Sequence, residues 1–267
     1  MAHPLNEPPL QMSGFEDRQR DVRLPVRFDA GRNARAKLGF VLIPNDQLVE
    51  EDMVRIAPPG VGVYFSRARM PHDISTGSLA QLTQSLAETA SRILPDDGLD
   101  VVCLACTSGS VAVGEERVRE ELNKGVPDAQ ATSLMGCVIK ALETLKVRRL
   151  AVATPYAAEL TNTVVGHLHH SGFEITSYAG LGLDFDREMV RVAPDYLVEF
   201  ASDLDLAGAD ALLLSCSALR SLEIVEELEQ RIGKPVVVSN QAMIWNCLRL
   251  AGVNDAIDGY GKLLRDY

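Results

Sequence analysis

The sequence predicts an α/β fold made of two similar, doubly wound αβα domains, each with a mostly parallel four-stranded sheet, and a functional site between them. Three observations predict this fold. Short apolar segments alternate with segments of helical periodicity from residue 37 onward. One strand-like segment recurs 110 residues later in the chain. The composition, with 46% hydrophobic and 24% charged residues among 267, is typical of a globular protein that folds on its own.

The first 37 residues are predicted to form an extended N-terminal arm. They carry six Arg and four Pro and show no sustained apolar periodicity. We expect this arm to pack against the domain surface or a partner subunit, in a homo-oligomer that is a dimer or a tetramer. The first α/β domain is expected over 38–149 and the second over 150–252. A C-terminal helix within 253–267 is expected to pack back on the first domain.

The strand candidates are short runs, several of them rich in Val, Leu and Ile. They lie at 38–43, 61–66, 101–105, 150–153, 174–179, 211–215 and 236–239. The helix candidates between them have apolar residues three to four positions apart. They cover 79–94, 114–124, 135–145, 159–171, 194–205, 221–231 and 241–251. Alternation of this kind implies parallel sheets that are covered by helices on both faces.

An internal repeat supports the division into two halves. Residues 99–110 align without gaps with residues 209–220. Each copy is an apolar strand that runs into a cysteine, Cys106 in the first copy and Cys216 in the second. The two cysteines are therefore expected to occupy equivalent positions in two similar sheets.

The charge balance disfavours several classes of partner. The net charge of -11, from 26 basic and 37 acidic residues, opposes binding to nucleic acid or to anionic membranes. The apolar runs are far shorter than the roughly 20 residues that cross a bilayer. The first residues lack the basic and then apolar plan of a secretory signal. We therefore expect a cytoplasmic protein that binds neither nucleic acid nor membranes.

The cysteine pattern argues against a disulfide framework and against a metal. Five cysteines, an odd number, suit a reducing compartment with free thiols. Cys103 and Cys106 form a CxxC, but the sequence holds no second CxxC or HxxxH, so we predict no metal site. Cys103, Cys137 and Cys247 lie inside apolar segments and are interpreted as buried core residues. A GxGxxG and a P-loop are also absent from the sequence, so no cofactor is predicted.

Cys106 and Cys216 lie where ligands bind in an open parallel sheet, beyond the carboxyl ends of strands. Small or hydroxyl residues follow each cysteine and are suited to open a helix, whose N-terminus favours a thiolate over a thiol. Two equivalent thiols indicate one cleft with a cysteine on each wall. One thiolate would remove a proton or add to a carbon while the other thiol delivers a proton.

Four motifs in this order resemble the aspartate/glutamate racemase superfamily. They are ACTSGS at 105–110, TPY at 154–156, SCSAL at 215–219 and KPVVVSNQAMIW at 234–245. Within the superfamily they are most similar to the branch of maleate cis-trans isomerases and arylmalonate decarboxylases, particularly its ectoine-utilisation proteins. The resemblance covers about 38–252. It implies a cofactor-free enzyme of two αβα domains with the active site between them.

The resemblance also implies roles for individual residues. Cys106 corresponds to the nucleophile or base, and Cys216 to the opposing acid. The carboxylate pocket of the family, made of hydroxyl groups and backbone N–H groups, maps onto Thr107, Ser108, Tyr156, Cys216 and Ser217. Hydrogen bonds from such donors strengthen as an enolate-like charge develops. Asn240, at the next strand end, is a further candidate for substrate binding and is equally suited to cap a helix.

Two departures from the family pattern bear on the substrate. Gln47 stands where maleate isomerases have an Asn, and Asp186 stands where a second Asn is expected. An ionised Asp beside a dicarboxylate is repulsive unless it is neutralised. The pattern therefore favours an isomerase or racemase acting on a small carboxylate with a basic nitrogen, such as a diaminobutyrate-like product of ectoine breakdown.

Three alternatives stay open. The first is a maleate cis-trans isomerase, and the second is an arylmalonate-type decarboxylase. Decarboxylation is disfavoured because arylmalonate decarboxylases usually lack the first cysteine, which this sequence retains. The third alternative is a non-catalytic protein that binds small carboxylates, since two α/β lobes around a cleft also describe such proteins. A binding protein has no need of facing thiols.

Overall fold

The computed structural model describes residues 25–70 and 76–267, with side chains from residue 81 onward after the gap. The chain divides into two compact units, 1–31 and Arg32–Tyr267. In the first unit, residues 25–31 form neither helix nor strand, and the Val26 and Phe28 side chains are exposed. Residues 1–24, most of the predicted N-terminal arm, lie outside the described residues.

Two parallel four-stranded sheets form the framework of the second unit. The first sheet has the order β2-β1-β3-β4 and consists of β1 (Ala36–Leu42), β2 (Val61–Arg67), β3 (Val101–Leu104) and β4 (Gln130–Ser133). The second has the equivalent order β6-β5-β7-β8 and consists of β5 (Arg149–Tyr156), β6 (Glu174–Leu183), β7 (Ala211–Leu214) and β8 (Val236–Val238). The predicted α/β fold with two parallel four-stranded sheets is therefore confirmed.

Helices connect the strands and cover the sheets. In the first half they are α1 (Val49–Ile56), α2 (Thr76–Ser91), α3 (Thr107–Val113), α4 (Glu115–Gly125) and α5 (Leu134–Thr144). In the second half they are α6 (Ala158–His170), α7 (Asp186–Met189), α8 (Pro194–Ser202), α9 (Val225–Ile232), α10 (Ser239–Leu250) and α11 (Gly261–Asp266). Within the described part of the chain, no helix combines the length and the apolar character that crossing a bilayer requires.

Equivalent carboxylates fix the beginning of the central strands in both sheets. The Lys37 N–H donates to Asp100 Oδ2 at 2.7 Å, and the Arg149 N–H donates to Asp210 Oδ2 at 2.9 Å. Each Asp also returns its own N–H to the carbonyl of the same partner, at 2.9 Å in the first sheet and 2.7 Å in the second. The sequence repeat is therefore also a repeat of hydrogen bonding, and it places Cys106 and Cys216 at equivalent strand ends.

The two halves exchange helices. α5 follows the last strand of the first sheet and packs against β8, while α10 follows the last strand of the second sheet and packs against β1 and β3. The two helices also pack on each other, and one hydrophobic core runs through both halves. The exchange holds the two sheets together, and a boundary at residue 150 stays a prediction.

The C-terminal segment departs from the prediction. α11 packs mainly against α9, α10 and β8, which are elements of the second half. The N–H groups of Gly261 and Lys262 donate at 2.8 Å to carboxylates of α9, and this fixes the start of α11 there. The link to the first half is made earlier, by an ion pair between Arg35 and Asp255 at 2.5 Å.

Two elements of the first half were not predicted. β4 has the sequence QATS, whose polar side chains lack the apolar pattern of a buried strand. Ala131, Thr132 and Ser133 are nevertheless buried. α1 is only eight residues long, and its buried Val49, Met53 and Ile56 follow helical spacing too briefly to stand out. α1 begins directly after the loop that carries Asp46 and Gln47 and so helps to position that loop.

Candidate active site

Cys106 lies directly after β3 and caps the N-terminus of α3. Its Sγ accepts the Gly109 N–H at 3.3 Å and lies 3.6 Å from the Ser108 Oγ. A side chain at position 109 would crowd this sulfur, since a Cβ there would lie 3.2 Å from Sγ and 2.9 Å from Leu82. Cys106 is 6% exposed. Two donors therefore face a nearly buried sulfur, an arrangement that stabilises the negative charge of a thiolate.

Cys216 occupies the equivalent position after β7. Its Sγ accepts the Ala218 N–H at 3.2 Å, and the Sδ of Met189, at the end of α7, lies 3.9 Å away. The buried hydroxyl of Tyr156, the last residue of β5, lies within hydrogen-bonding reach of the same sulfur. The second thiol is thus held by groups from three elements of the second half.

The two thiols converge on one site. A charge on Cys106 acts on both Cys216 and Tyr156, so the three groups lie within electrostatic reach of one another. Thr107, the first residue of α3, is 1% exposed; its hydroxyl faces that of Tyr156 but makes no hydrogen bond of ordinary length among the described residues. A buried hydroxyl without a partner is costly unless a ligand completes it. Thr107 therefore suits the carboxylate-binding role predicted for it.

A cavity of about 660 Å³ lies between the loop after β1 and the loop after β6. Its lining residues are Pro44, Asn45, Asp46, Gln47, Arg67, Asp184, Phe185, Asp186 and Arg187. Gln47 and Asp186, which the sequence analysis selected from opposite halves, therefore line the same cavity. Neither Cys106 nor Cys216 is among the lining residues, but the charges of Asp46 and Asp186 act on Cys106, so the cavity and that thiol lie within electrostatic reach of each other.

Burial governs the protonation of both thiols. Desolvation raises the pKa of Cys106, the charges of Asp186 and Asp46 raise it further, and together they outweigh the two donors. Desolvation likewise raises the pKa of Cys216 to about 12. The expectation that the helix N-termini favour thiolates is therefore wrong for the unliganded protein. α3 has only seven residues, and its partial charge cannot offset the desolvation of a buried anion.

The cavity carboxylates are also protonated more readily than usual. Burial raises the pKa of Asp46 to about 6, although its carboxylate accepts the N–H groups of Leu48 and Val49 at 3.2 and 2.9 Å. Burial raises the pKa of Asp186 as well. A cation in the cavity would stabilise both ionised carboxylates. The sequence analysis missed Asp46, because only the fold brings it beside Asp186 and the thiols.

Asn240 braces the loop that carries Cys216. Its Nδ2 donates to the Ser217 carbonyl oxygen at 3.0 Å and to Asp52 Oδ2 at 2.7 Å. Asp52 lies on α1 and is 6% exposed, and its burial raises its pKa to about 6. A buried hydrogen-bond chain therefore runs from the first half to the loop of Cys216. The sequence analysis did not single out Asp52, because it is one of three adjacent acidic residues on a short helix.

Residues 54–264 match the model of the arylmalonate decarboxylase family, Amdase. The chain belongs to this family. The resemblance to the branch of maleate isomerases and arylmalonate decarboxylases is thereby confirmed, and the chain is an enzyme of the family. Similarity to the ectoine-utilisation proteins in particular stays a prediction.

Relatives of both kinds are similar to this Amdase family member over most of its length. A maleate isomerase from Nocardia farcinica is 30% identical over 241 residues, which are 86% of this chain and 95% of the relative. An arylmalonate decarboxylase from Bordetella bronchiseptica is 30% identical over 240 residues, which are 85% of this chain and 95% of the relative. The fold and the family are therefore shared along nearly the whole of each relative.

A solved structure of the Nocardia farcinica maleate cis-trans isomerase has a TM-score of 0.79 and 27% sequence identity to this chain. The similarity covers 87% of this chain and 99% of that one. That structure is of a cysteine-to-serine mutant with a covalently bound succinylcysteine intermediate. Cysteine chemistry therefore occurs in a protein of the same fold.

The effect of Asp186 on the thiols predicts a change in their reactivity. Asp186→Asn removes a negative charge that disfavours both thiolates. We expect iodoacetamide to alkylate Cys106 several-fold faster at pH 8, because loss of the nearby negative charge lowers the pKa of its thiol. Peptide mass spectrometry measures the rate. Asp184→Asn is the matched control in the same cavity, and equal rates in the two variants would contradict the assignment.

From the burial of Asp52 we predict that the free energy of unfolding depends on pH. The Asp52 pKa of about 6 in the folded state lies above the ordinary 3.8, so the protein loses stability as the pH rises from about 4 to about 6. Asp52→Asn still accepts from Asn240 but carries no charge. We expect this variant to exceed the wild type by about 1 to 3 kcal/mol at pH 7 and to match it at pH 4, measured by urea unfolding.

Asp52→Ala serves as the control for this prediction, because it removes the acceptor together with the charge. It is expected to be less stable than Asp52→Asn at both pH values and to turn over more slowly, since Asn240 loses an anchor. An Asn variant whose advantage over the wild type is the same at pH 4 and pH 7 would show that Asp52 is not a buried ionised group.

Proposed function

We propose that this protein is a cofactor-independent isomerase or racemase that uses Cys106 and Cys216 on a small carboxylate carrying a basic nitrogen. The observation that carries the proposal is the position of two thiols from equivalent strand ends beside a cavity that holds Asp46 and Asp186. Two thiols suit chemistry on opposite faces of one carbon. One buried carboxylate, Asp46, and one half-buried carboxylate, Asp186, suit a substrate with a positive charge.

Cys106 serves as the base or nucleophile in this proposal. The N–H of Gly109 and the hydroxyl of Ser108 face its sulfur and stabilise the thiolate once it forms. Cys216 serves as the proton donor, because a pKa of about 12 keeps it protonated at neutral pH. Tyr156 supports the thiolate that remains after Cys216 has given up its proton.

The substrate carboxylate is assigned to donors between the two thiols. The buried Thr107 hydroxyl, which faces Tyr156, makes no hydrogen bond of ordinary length among the described residues, and Ser108 and Ser217 lie within two residues of the cysteines. Backbone N–H groups at Cys216 and Ser217 add donors without side-chain entropy. As a proton leaves the carbon beside the carboxylate, negative charge moves onto its oxygens and these hydrogen bonds strengthen.

A substrate ammonium group would lower the pKa of the Cys106 thiol, which the protein raises. The pKa of Cys106 is raised by desolvation and then by Asp186 and Asp46, so the free enzyme holds a neutral thiol. An ammonium group near the two carboxylates offsets their charge and favours the thiolate. The substrate would thereby activate its own base. A dicarboxylate would have the opposite effect, because it adds negative charge to the same cavity.

An amino acid with a second amine, such as the diaminobutyrate released in ectoine breakdown, has the required charges. This finer proposal rests on Asp186 and on the motif resemblance. A homo-oligomer and a cytoplasmic location are proposed with it, from the sequence alone.

Maleate cis-trans isomerisation is the second candidate. It is favoured by the 30% identity to a maleate isomerase over 86% of the chain. Arg67 and Arg187 also line the cavity and offer positive charge to a dicarboxylate. Arg67 is already paired, since it donates to Glu50 at 2.7 Å and to the Asp46 carbonyl oxygen at 3.1 Å. Maleate isomerisation is the weaker candidate, because the Arg67 guanidinium is already paired and Asp46 and Asp186 would repel a dicarboxylate.

Two substitutions test the division of roles between the thiols. Cys106→Ser and Cys216→Ser should each reduce overall turnover by about 10²-fold or more, since proton transfer by a positioned group contributes that much. In heavy water, the Cys216 variant should still exchange the substrate α-proton, because its base is intact. NMR measures both rates. Full turnover by either variant would remove that cysteine from the mechanism.

The charge at Asp186 tests the substrate class. Asp186→Asn should raise any trace conversion of maleate to fumarate by at least about tenfold, since relief of 1.4 kcal/mol of repulsion has that effect. The same change should lower turnover of an ammonium-bearing substrate. Asp184→Asn is the control, and NMR of the products is the measurement. Rapid conversion of maleate by the unmodified enzyme would contradict the proposed substrate class and favour the second candidate.

A further inference from the structure

Three cysteines outside the active site form a compact cluster in the core. They are Cys103 on β3, Cys137 on α5 and Cys247 on α10, and each is 0% exposed. Their three sulfur atoms all lie within 4.8 Å of one another. The cluster exists because α10 crosses onto the first sheet and meets α5 there. It is distinct from the site of Cys106 and Cys216.

Polar groups in the core already face this cluster. The Asn246 Nδ2 donates to the Cys137 sulfur at 3.4 Å, and the Thr132 hydroxyl lies 3.7 Å from the same sulfur. An amide and a hydroxyl therefore lie beside the sulfur of Cys137 in the interior of the protein. In a plain apolar core a thiol packs as a small hydrophobe and needs no polar partner. Donors that favour a thiolate therefore indicate another role for this cluster.

The geometry suits one ion held by three sulfurs. Sulfur ligands about 2.3 Å from a central atom stand roughly 4 Å apart in a planar arrangement and roughly 3.4 Å apart in a pyramidal one. The sulfur separations, all within 4.8 Å, therefore need only small shifts to reach that spacing. Three different elements supply the ligands, so their positions are fixed by the packing of the core.

The net charge of the complex determines which ion the three sulfurs can bind. Three thiolates carry a charge of -3, and the side chains that face Cys137 are an amide and a hydroxyl that itself donates to the Glu115 carboxylate, neither of them a cation. A buried site of this kind strongly disfavours net charge. A monovalent or divalent ion would leave the complex at -2 or -1. A trivalent ion leaves it neutral.

We propose that Cys103, Cys137 and Cys247 form a binding site for a trivalent thiophilic ion, with arsenite as its probe. Arsenite is the neutral acid As(OH)₃ at neutral pH. Three As–O bonds and three S–H bonds break, and three As–S bonds form with the release of three water molecules. Arsenic and sulfur keep their oxidation states, so the step needs no other reactant.

Binding would link three elements that hold the active site. β3 runs into Cys106, and α10 begins beside Asn240, which holds the loop of Cys216. A bound ion would fix these elements to α5 and raise the melting temperature, because it binds the folded state alone. The sulfurs are fully buried, so the reaction waits for the core to open and should be slow. The inference is independent of the proposed function.

The experiment uses the full-length protein with Cys106→Ser and Cys216→Ser, which leaves only the three clustered thiols. The protein is incubated with arsenite for hours and analysed by native mass spectrometry. We expect one arsenic to bind, with a mass gain of one arsenic less three hydrogens, and a higher melting temperature. X-ray absorption should show three sulfur neighbours. Zn²⁺ is the charge control and should bind at least about tenfold more weakly.

Cys247→Ala in the same background removes one ligand and should weaken arsenite binding by at least about a hundredfold. Cys137→Ser is the second variant if the first does not fold, because it keeps a polar atom of similar size. Three results would overturn the proposal. One is unchanged affinity in a folded ligand variant. Another is binding that requires Cys106 and Cys216. The third is the absence of bound arsenic after the protein has been refolded in its presence.

Discussion

Parallel strand direction is the constraint on which the rest of the site depends. All strands of a parallel sheet end on one edge, and ligands bind at the switch point beyond that edge. The carboxyl ends of β3 and β7 carry Cys106 and Cys216, and the ends of β1 and β6 carry the loops with Asp46 and Asp186. The exchange of α5 and α10 holds the two edges together. One topological rule thus brings residues from distant parts of the chain to one cavity.

The desolvation that follows from this packing shapes the chemistry. A buried thiol costs little, whereas a buried thiolate is expensive, so the unliganded enzyme keeps both cysteines protonated. Because of the same burial, charges in the cavity interact more strongly than they would in water. In the proposed reaction, charge on the substrate then determines when Cys106 ionises.

The sequence alone predicted the fold class and the equivalent positions of Cys106 and Cys216, because both depend on local patterns that recur 110 residues apart. It also predicted that Gln47 and Asp186 share a site. It missed β4, whose polar residues hide a buried strand, and Asp46, which becomes important only beside Asp186. It interpreted Cys103, Cys137 and Cys247 as isolated core residues, since no local pattern reveals that α10 crosses to the other sheet. The direction of the thiol pKa shifts was also beyond it, because burial is a property of the whole fold.

The convergence of Cys106 and Cys216 on one site is the central claim, and a bifunctional thiol reagent tests it most directly. Dibromobimane becomes fluorescent when both of its arms react with neighbouring thiols. The native protein is treated at alkaline pH, where the thiols ionise, and the products are mapped by peptide mass spectrometry. The account predicts a fluorescent product that joins the peptides of Cys106 and Cys216. Separate, singly attached labels on the two cysteines would contradict it.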